Sequence, residues 1–122
     1  MLEHFENPRN VGTLDKAAPD VSSALEKSGQ CGLVVRAQLQ FGLDGRVVEC
    51  RWKTFGCGAL VGSMSWLSEW ARGRALTELL APPMALLTEQ LALTGDRLHC
   101  GEFAATALRS AAEQALAKLA AK

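Results

Sequence analysis

The sequence lacks an excess of either charge and lacks any long hydrophobic stretch. Thirteen Lys and Arg residues balance thirteen Asp and Glu residues among 122, so we expect no binding to nucleic acid or to an anionic membrane surface. No stretch approaches the roughly 18 apolar residues that a membrane-spanning helix needs. Residues 1–6 are acidic and have no hydrophobic region, which predicts that there is no signal peptide and that the protein is cytoplasmic.

Motifs of common enzyme classes are also missing. The chain has no Ser-His-Asp order, no phosphate-binding glycine loop, no H-E-x-x-H motif and no obvious acid–base pair of carboxylates. Its four cysteines are too few for a small fold held by disulfides, and separated cysteines in a reducing compartment favour metal or sulfur chemistry. The apolar fraction of 48% nevertheless predicts a folded chain, and the length predicts a single domain over residues 1–122.

The first half of the sequence predicts an antiparallel hairpin. A strand with one buried face is predicted from alternating apolar residues, which are Leu33, Val35, Ala37, Leu39 and Phe41. Asp44-Gly45 predicts a tight turn, after which the return strand is expected to bury Val48, Cys50, Trp52 and Thr54. Residues 23–30 predict a further strand with a weaker pattern, and residues 1–22 predict a short helical turn followed by a loop.

The second half of the sequence predicts helices. After Gly58 the apolar residues follow the helical period, and the predicted stripe consists of Leu60, Met64, Leu67 and Ala71, flanked by Trp66 and Trp70. Pro82 and Pro83 begin a short helix that Gly95 is expected to end, and a last helix runs from about Leu98 to the end. This order predicts an α+β fold, in which helices pack on one face of a small antiparallel sheet and the C-terminal helix is long.

Three of the four cysteines lie at predicted ends of elements, each followed by a glycine. Cys31 precedes the first clear strand, Cys57 separates the hairpin from the next helix, and Cys100 follows His99 at the start of the last helix. Thiolates at helix N-termini have a lowered pKa, and neighbouring glycines let the backbone approach an inorganic centre closely. With His99, the three cysteines form a Cys₃His set that suits tetrahedral zinc or a two-iron cluster.

A structural role for these cysteines is the alternative. Their spacing matches no local metal motif, and free cysteine is among the most buried residue types. Cys50 fits that description, because it lies on the apolar face of its strand between Val48 and Trp52. We therefore interpret Cys50 as a core residue.

Several segments together resemble the iron–sulfur cluster scaffold family of IscU and the NifU N-terminal domain. They are ENPRNVG at residues 6–12, Cys31-Gly32, KTFGCG at residues 53–58, Glu69-Trp70 and His99-Cys100. The resemblance covers nearly the whole chain and implies a three-stranded antiparallel sheet with helices packed against it. It also implies a non-enzymatic scaffold that accepts persulfide sulfur from a pyridoxal-phosphate cysteine desulfurase, binds iron, assembles a [2Fe–2S] cluster and passes it to apo iron–sulfur proteins.

The resemblance assigns roles to four residues. It implies that Cys31, Cys57, His99 and Cys100 bind the cluster, and that Cys100 accepts the sulfur. Isolated scaffolds of this family often hold zinc in the same site, which a Cys₃His set allows.

Two departures from the family pattern affect this site. Cys-Gly-Asp of the family is Cys31-Gly32-Leu33 here, which removes a carboxylate, and we expect a drier site that releases its metal or cluster less readily. The family segment Leu-Pro-Pro-Val-Lys is Leu93-Thr94-Gly95-Asp96-Arg97 here. Loss of both prolines removes a pre-organised extended backbone, which argues against recognition by the specialised Hsp70-type chaperone of the family.

Two other functions are consistent with these residues. One is a zinc-dependent sulfur transferase that relays persulfide without building a cluster; such relatives typically have an insertion between the second and third cysteines and lack the histidine, unlike this chain. The other is a scaffold relative that stores or senses metal after losing cluster turnover, which Leu33 and the missing prolines favour.

Overall fold

The chain folds into three strands followed by helices, as the computed structural model shows for residues 8–15, 17–27, 32–55 and 58–121. The strands are β1 (Val21–Lys27), β2 (Val34–Phe41) and β3 (Val47–Phe55). After them come helix α1 (Gly58–Ala71), a 3₁₀ helix (Leu76–Leu80), helix α2 (Met84–Leu91) and helix α3 (Asp96–Ala120). This order confirms the predicted α+β class and the long C-terminal helix.

The three strands form one antiparallel sheet in the order β1-β2-β3. Ala24, Ala37 and Trp52 pair across it, and each is at most 2% exposed because α1 and α3 pack on this face. The same face of β2 buries Val35, Ala37, Leu39 and Phe41. The alternation predicted for β2 is therefore confirmed.

The first strand differs from its prediction. It runs from Val21 to Lys27 instead of over residues 23–30, and residues 28–30 lie outside the described ranges. Residues 1–7, at the start of the segment 1–22 for which a helical turn and then a loop are predicted, also lie outside them. The part of residues 8–20 that the structure describes has turns, bends and an isolated bridge, in agreement with the predicted loop.

The β2–β3 pairing is irregular near the hairpin turn. Gln40 pairs with Glu49, but the next residue, Phe41, pairs with Val47 and not with Val48. Such a bulge places an extra residue on one strand and reverses the alternation beyond it. Val47 is accordingly 2% exposed and Val48 is 54% exposed. The prediction that Val48 is buried is wrong.

The bulge gives a matched pair of variants, because Val→Thr keeps the shape and the β-branch and adds only a hydroxyl. We expect Val47→Thr to lower the free energy of unfolding by about 1–3 kcal/mol, since the hydroxyl leaves water. Val48→Thr should change it by less than about 0.5 kcal/mol, as expected at an exposed position. Urea unfolding followed by tryptophan fluorescence compares the two. Equal losses would contradict the bulge.

Helix α1 confirms its predicted apolar stripe. Its fully buried side chains include Leu60, Met64, Leu67 and Ala71, while Trp66 and Trp70 are partly buried and pack against the core beside them.

In the described part of the chain, no helix is both long and apolar enough to cross a membrane.

The connection between α2 and α3 differs from the prediction. Helix α2 ends at Leu91, and the next residue, Ala92, has a left-handed backbone conformation with φ 52° and ψ 46°. Gly95, predicted to end this helix, is instead the residue before α3, with φ 58° and ψ −129°. Helix α3 therefore begins at Asp96, slightly earlier than predicted, and places His99 and Cys100 near its start.

Candidate metal centre

Two predicted ligands, Cys31 and Cys57, lie outside the described residues. The strand ends next to them in the sequence, however, pair with each other. Val34, the first residue of β2, pairs with Phe55, the last residue of β3. Cys31 precedes Val34 by three residues, and Cys57 follows Phe55 by two. The two cysteines are therefore connected to the same end of the sheet, which we call the site end.

The direction of α3 places the other two predicted ligands near the site end. Close to its C-terminus, Lys118 Nζ donates a hydrogen bond to the carbonyl of Val21, at the opposite end of the sheet. Leu119 Cδ2 also lies 3.7 Å from where a Cβ on Gly45, in the hairpin turn, would be. Because α3 has 25 residues, or about 37 Å, and packs along β1 and β2, its first turns reach the site end.

A close helix contact joins the start of α3 to the start of α1. Gly101 lies so near α1 that a Cβ on it would be 3.7 Å from Ser63 Oγ. Ser63 Oγ in turn donates a hydrogen bond of 2.7 Å to the carbonyl of Ala59, in the first turn of α1. That turn follows Cys57 directly in the sequence, so the first turns of α1 and α3 are neighbours.

His99 and Cys100 face different surroundings. His99 is exposed, whereas Cys100 is 7% exposed and belongs to the hydrophobic core, because successive residues on a helix point about 100° apart. Within the described ranges, no group of three or more His, Cys, Asp or Glu residues could hold a metal ion. The four-ligand set predicted from the sequence stays a prediction, and it requires Cys31 and Cys57.

Leu33 is a core residue as well as a change in the ligand pattern. It is 5% exposed and packs within the same hydrophobic cluster that contains Cys100. The apolar side chain therefore helps to anchor the start of β2, beside the segment that includes Cys31. The sequence predicts a drier site with Leu33 but does not predict that Leu33 packs in the core.

Cys50 is buried in the core, as predicted. It is fully buried, and burial, with a smaller contribution from the charge of Glu49, raises the pKa of its thiol to about 12. Since metal binding needs the thiolate, Cys50 is unsuited to be a ligand.

The segment after Pro8 has no structural role that the sequence predicts. In the structure, residues 9–12 form a strap between β3 and α1. The Trp52 indole N–H donates to the carbonyl of Arg9 at 2.7 Å, and the Gly12 N–H donates to the Trp52 carbonyl at 3.0 Å. The Arg9 N–H donates to Ser65 Oγ at 2.8 Å, and Asn10 Nδ2 donates to Ser68 Oγ at 3.0 Å.

The strap holds together the two elements that Cys57 connects. It contacts the edge of β3 on one side and buried serines of α1 on the other, and the Arg9–Glu69 ion pair of 2.8 Å adds a further link to α1. In the sequence, the strap is part of the ENPRNVG segment, which supports the family resemblance but does not predict these contacts.

An exposed patch on the outer face of the sheet lies at the site end. Phe55 is 77% and Leu25 48% exposed, and with Val34 they line a shallow cavity of about 190 Å³. Arg36 and Lys53 line the same cavity. The patch therefore combines apolar surface with positive charge.

The whole chain matches a known protein family. A family model described as the NifU-like N-terminal domain matches residues 1–122. The chain belongs to the family of NifU-like N-terminal domains.

Two curated relatives are named for iron–sulfur cluster assembly. The chain is 37% identical over 111 residues to the iron–sulfur cluster assembly scaffold protein IscU of Azotobacter vinelandii, covering 91% of this chain and 87% of that protein. It is 35% identical to iron–sulfur cluster assembly protein 3 of Arabidopsis thaliana, again over 91% of this chain, but spans only 65% of that protein's length.

The fold is shared with a crystallised protein from Fervidobacterium islandicum that is described as a proposed iron–sulfur cluster assembly scaffold for the SUF system. The TM-score is 0.73 at 16% identity, covering 91% of this chain and 92% of that one. A NifU-like N-terminal protein from Brucella abortus gives a TM-score of 0.67 at 22% identity, covering 99% and 92%. These likenesses confirm the three-stranded sheet with packed helices.

Proposed function

We propose that this protein is a non-enzymatic scaffold on which a [2Fe–2S] cluster is assembled and from which it is transferred. Cys31, Cys57, His99 and Cys100 are the proposed ligands, and iron and sulfide are the cargo. The observation that supports this most is the arrangement of three elements at the site end, namely the first residue of β2, the last residue of β3 and the first turns of α3. Family membership and the names of the relatives agree with it.

The donor chemistry of the proposed site fits this cargo. Three thiolates and one imidazole are ligands that iron accepts in two-iron clusters and that zinc accepts in a tetrahedral site. The same set therefore explains how the isolated protein would hold zinc when no iron is supplied.

Cys100 is the proposed sulfur acceptor. In the transfer, the Cys100 thiolate attacks the terminal sulfur of a persulfide on a cysteine desulfurase, so that a new S–S bond forms on Cys100. The bond within the donor persulfide breaks, and its electron pair leaves on the desulfurase thiolate. Conversion of the new persulfide to sulfide then needs two electrons from an external thiol or protein reductant.

The exposed patch beside the site is suited to docking of the partners that this function needs. Phe55 and Leu25 offer apolar surface, and Arg36 and Lys53, which make no ion pair within the described ranges, offer positive charge. A desulfurase or an apo acceptor protein with an apolar and acidic surface would be held here, near the proposed ligands.

Anaerobic reconstitution tests the function. The reduced full chain is mixed with ferrous iron, cysteine and a pyridoxal-phosphate cysteine desulfurase, and we expect the visible absorption of a [2Fe–2S] centre. Cys100→Ser should abolish both this absorption and the persulfide detected on the scaffold by mass spectrometry. Cys50→Ala is the control and should retain both, because Cys50 is a core residue with a pKa of about 12.

The same experiment separates the other functions. Tight zinc with persulfide on Cys100 but no cluster absorption would overturn the scaffold proposal in favour of a zinc-dependent sulfur transferase. Bound metal with neither persulfide nor cluster would instead indicate a metal-storing or metal-sensing relative.

A further inference from the structure

The proposed sulfur acceptor is buried. Cys100 is 7% exposed and lies in the hydrophobic core, so its Sγ is poorly placed to meet a persulfide presented by another protein. Sulfur transfer needs the two sulfur atoms in contact, so the side chains that cover Cys100 must move before it reacts.

Leu93 packs against the residue after Cys100. A Cβ on Gly101 would lie only 2.7 Å from Leu93 Cδ1 and 3.6 Å from Leu87 Cδ2. The absence of a side chain on Gly101 thus makes the space that Leu93 occupies, and Leu93 is 2% exposed there. This contact joins the α2–α3 connection to the helical turn that includes Cys100.

The backbone on both sides of Leu93 has unusual conformations. Ala92 has a positive φ of 52°, which is unfavourable for a residue with a Cβ, and Gly95 has φ 58° and ψ −129°, which only glycine adopts readily. The N-cap residue of α3, Gly95, has no side chain that could cap the helix. The buried Leu93 side chain therefore helps to hold this connection, and the start of α3 after it, on the core.

We propose that Leu93 is a positioning residue for Cys100: seated against Gly101, it holds the first turns of α3 on the core and keeps the thiol covered, and its release exposes the thiol. This inference rests on the proposed role of Cys100 as sulfur acceptor. The sulfur donor would gain access to Cys100 only in the released state.

Alkylation of individual cysteines tests this proposal without any cluster. The reduced, metal-free full chain is treated with iodoacetamide, and peptide mass spectrometry gives the rates at Cys100 and Cys50. Because Cys50 reacts only when the core opens, the Cys100/Cys50 ratio separates local from global opening. We expect Leu93→Ala to raise this ratio by about tenfold or more, since the truncated side chain no longer fills the space at Gly101.

Matched variants make the test specific. Leu76→Ala removes the same atoms from a fully buried leucine whose N–H bonds to the Gly45 carbonyl near the hairpin turn, and it should leave the ratio unchanged. Leu93→Met conserves the side-chain volume, so its Cys100/Cys50 ratio should equal that of the parent. If Leu93→Ala does not fold, Leu93→Val should still raise the ratio, by a smaller factor.

The alkylation test can fail independently of the reconstitution that tests the proposed function. A ratio that stays at the parent value in Leu93→Ala or Leu93→Val, or that rises equally in Leu76→Ala, overturns the positioning role even if the parent reconstitutes a cluster. A raised ratio in a protein that fails to reconstitute would keep the positioning role and refute the scaffold.

Discussion

Leu33→Asp should lower the free energy of unfolding at neutral pH by about 3 kcal/mol or more, because it places a carboxylate in an apolar environment. Leu33 is 5% exposed within the core cluster. Burial disfavours the charged form, so the pKa of the new carboxyl rises above its ordinary value of about 3.9. The loss is therefore greatest above the raised pKa and becomes smaller as the pH falls through it.

Urea unfolding across this pH range measures the effect. Leu33→Asn is the control, because it introduces a polar group of similar shape that does not ionise, and its loss should not vary with pH. A Leu33→Asp protein as stable as the parent would show that the side chain at this position turns out of the core.

The same variant tests the expectation that Leu33 slows release. With a cluster reconstituted on both proteins, Leu33→Asp should transfer it to an apo acceptor faster than the parent does, since a carboxylate near the site competes with the thiolates and admits water. Transfer is followed by the absorption of the acceptor. A rate no higher than that of the parent would end this hypothesis.

A second large effect is expected at alkaline pH and is caused by Cys50. Its thiol pKa is raised from 9.0 to about 12 by burial. Below 9.0 the thiol is protonated in both the folded and the unfolded chain, so its full contribution to stability is present. Above 9.0 the unfolded chain ionises and the folded chain does not, and this contribution, about 4 kcal/mol for such a shift, is lost as the pH rises towards 12.

Comparison with Cys50→Ala isolates this contribution, because the other ionisable groups are common to both proteins. The difference in free energy of unfolding between the parent and Cys50→Ala should shrink by about 3 kcal/mol between about pH 8 and about pH 11. A difference that stays constant over this range would mean that the thiol ionises as readily in the folded protein as in the unfolded chain.

The sheet and α1 could be predicted from the sequence because apolar periodicity reports which face is buried. Val35, Ala37 and Leu39 alternate as a half-buried strand should, and Leu60, Met64 and Leu67 recur at helical spacing. The bulge could not be predicted, because positions 47 and 48 are both valine and only the pairing partner decides whether Val47 or Val48 is buried. The prediction that Gly95 ends α2 is wrong because Ala92 adopts the left-handed conformation after the helix. Glycine is the usual residue at such a position, so the sequence does not mark it.

The four ligands stay a prediction, and the covering of Cys100 could not be predicted from the sequence. The position of Cys100 at a helix start predicts a thiolate of lowered pKa, but the helix turn also packs against Leu93. No local sequence pattern contains this contact with a neighbouring loop. The strap was likewise hidden, because Arg9 and Asn10 bond to serines of α1 that are distant in sequence.

Helix α3 follows all three strands in the sequence, which has a consequence for synthesis. The face of the sheet that buries Ala37 and Leu39 is covered by a helix that leaves the ribosome after the strands, and the strap must wait for the serines of α1. A nascent chain that already contains all three strands therefore still presents a wide apolar surface to the cell. We expect this interval to be when the newly made protein is most exposed to general chaperones and to aggregation.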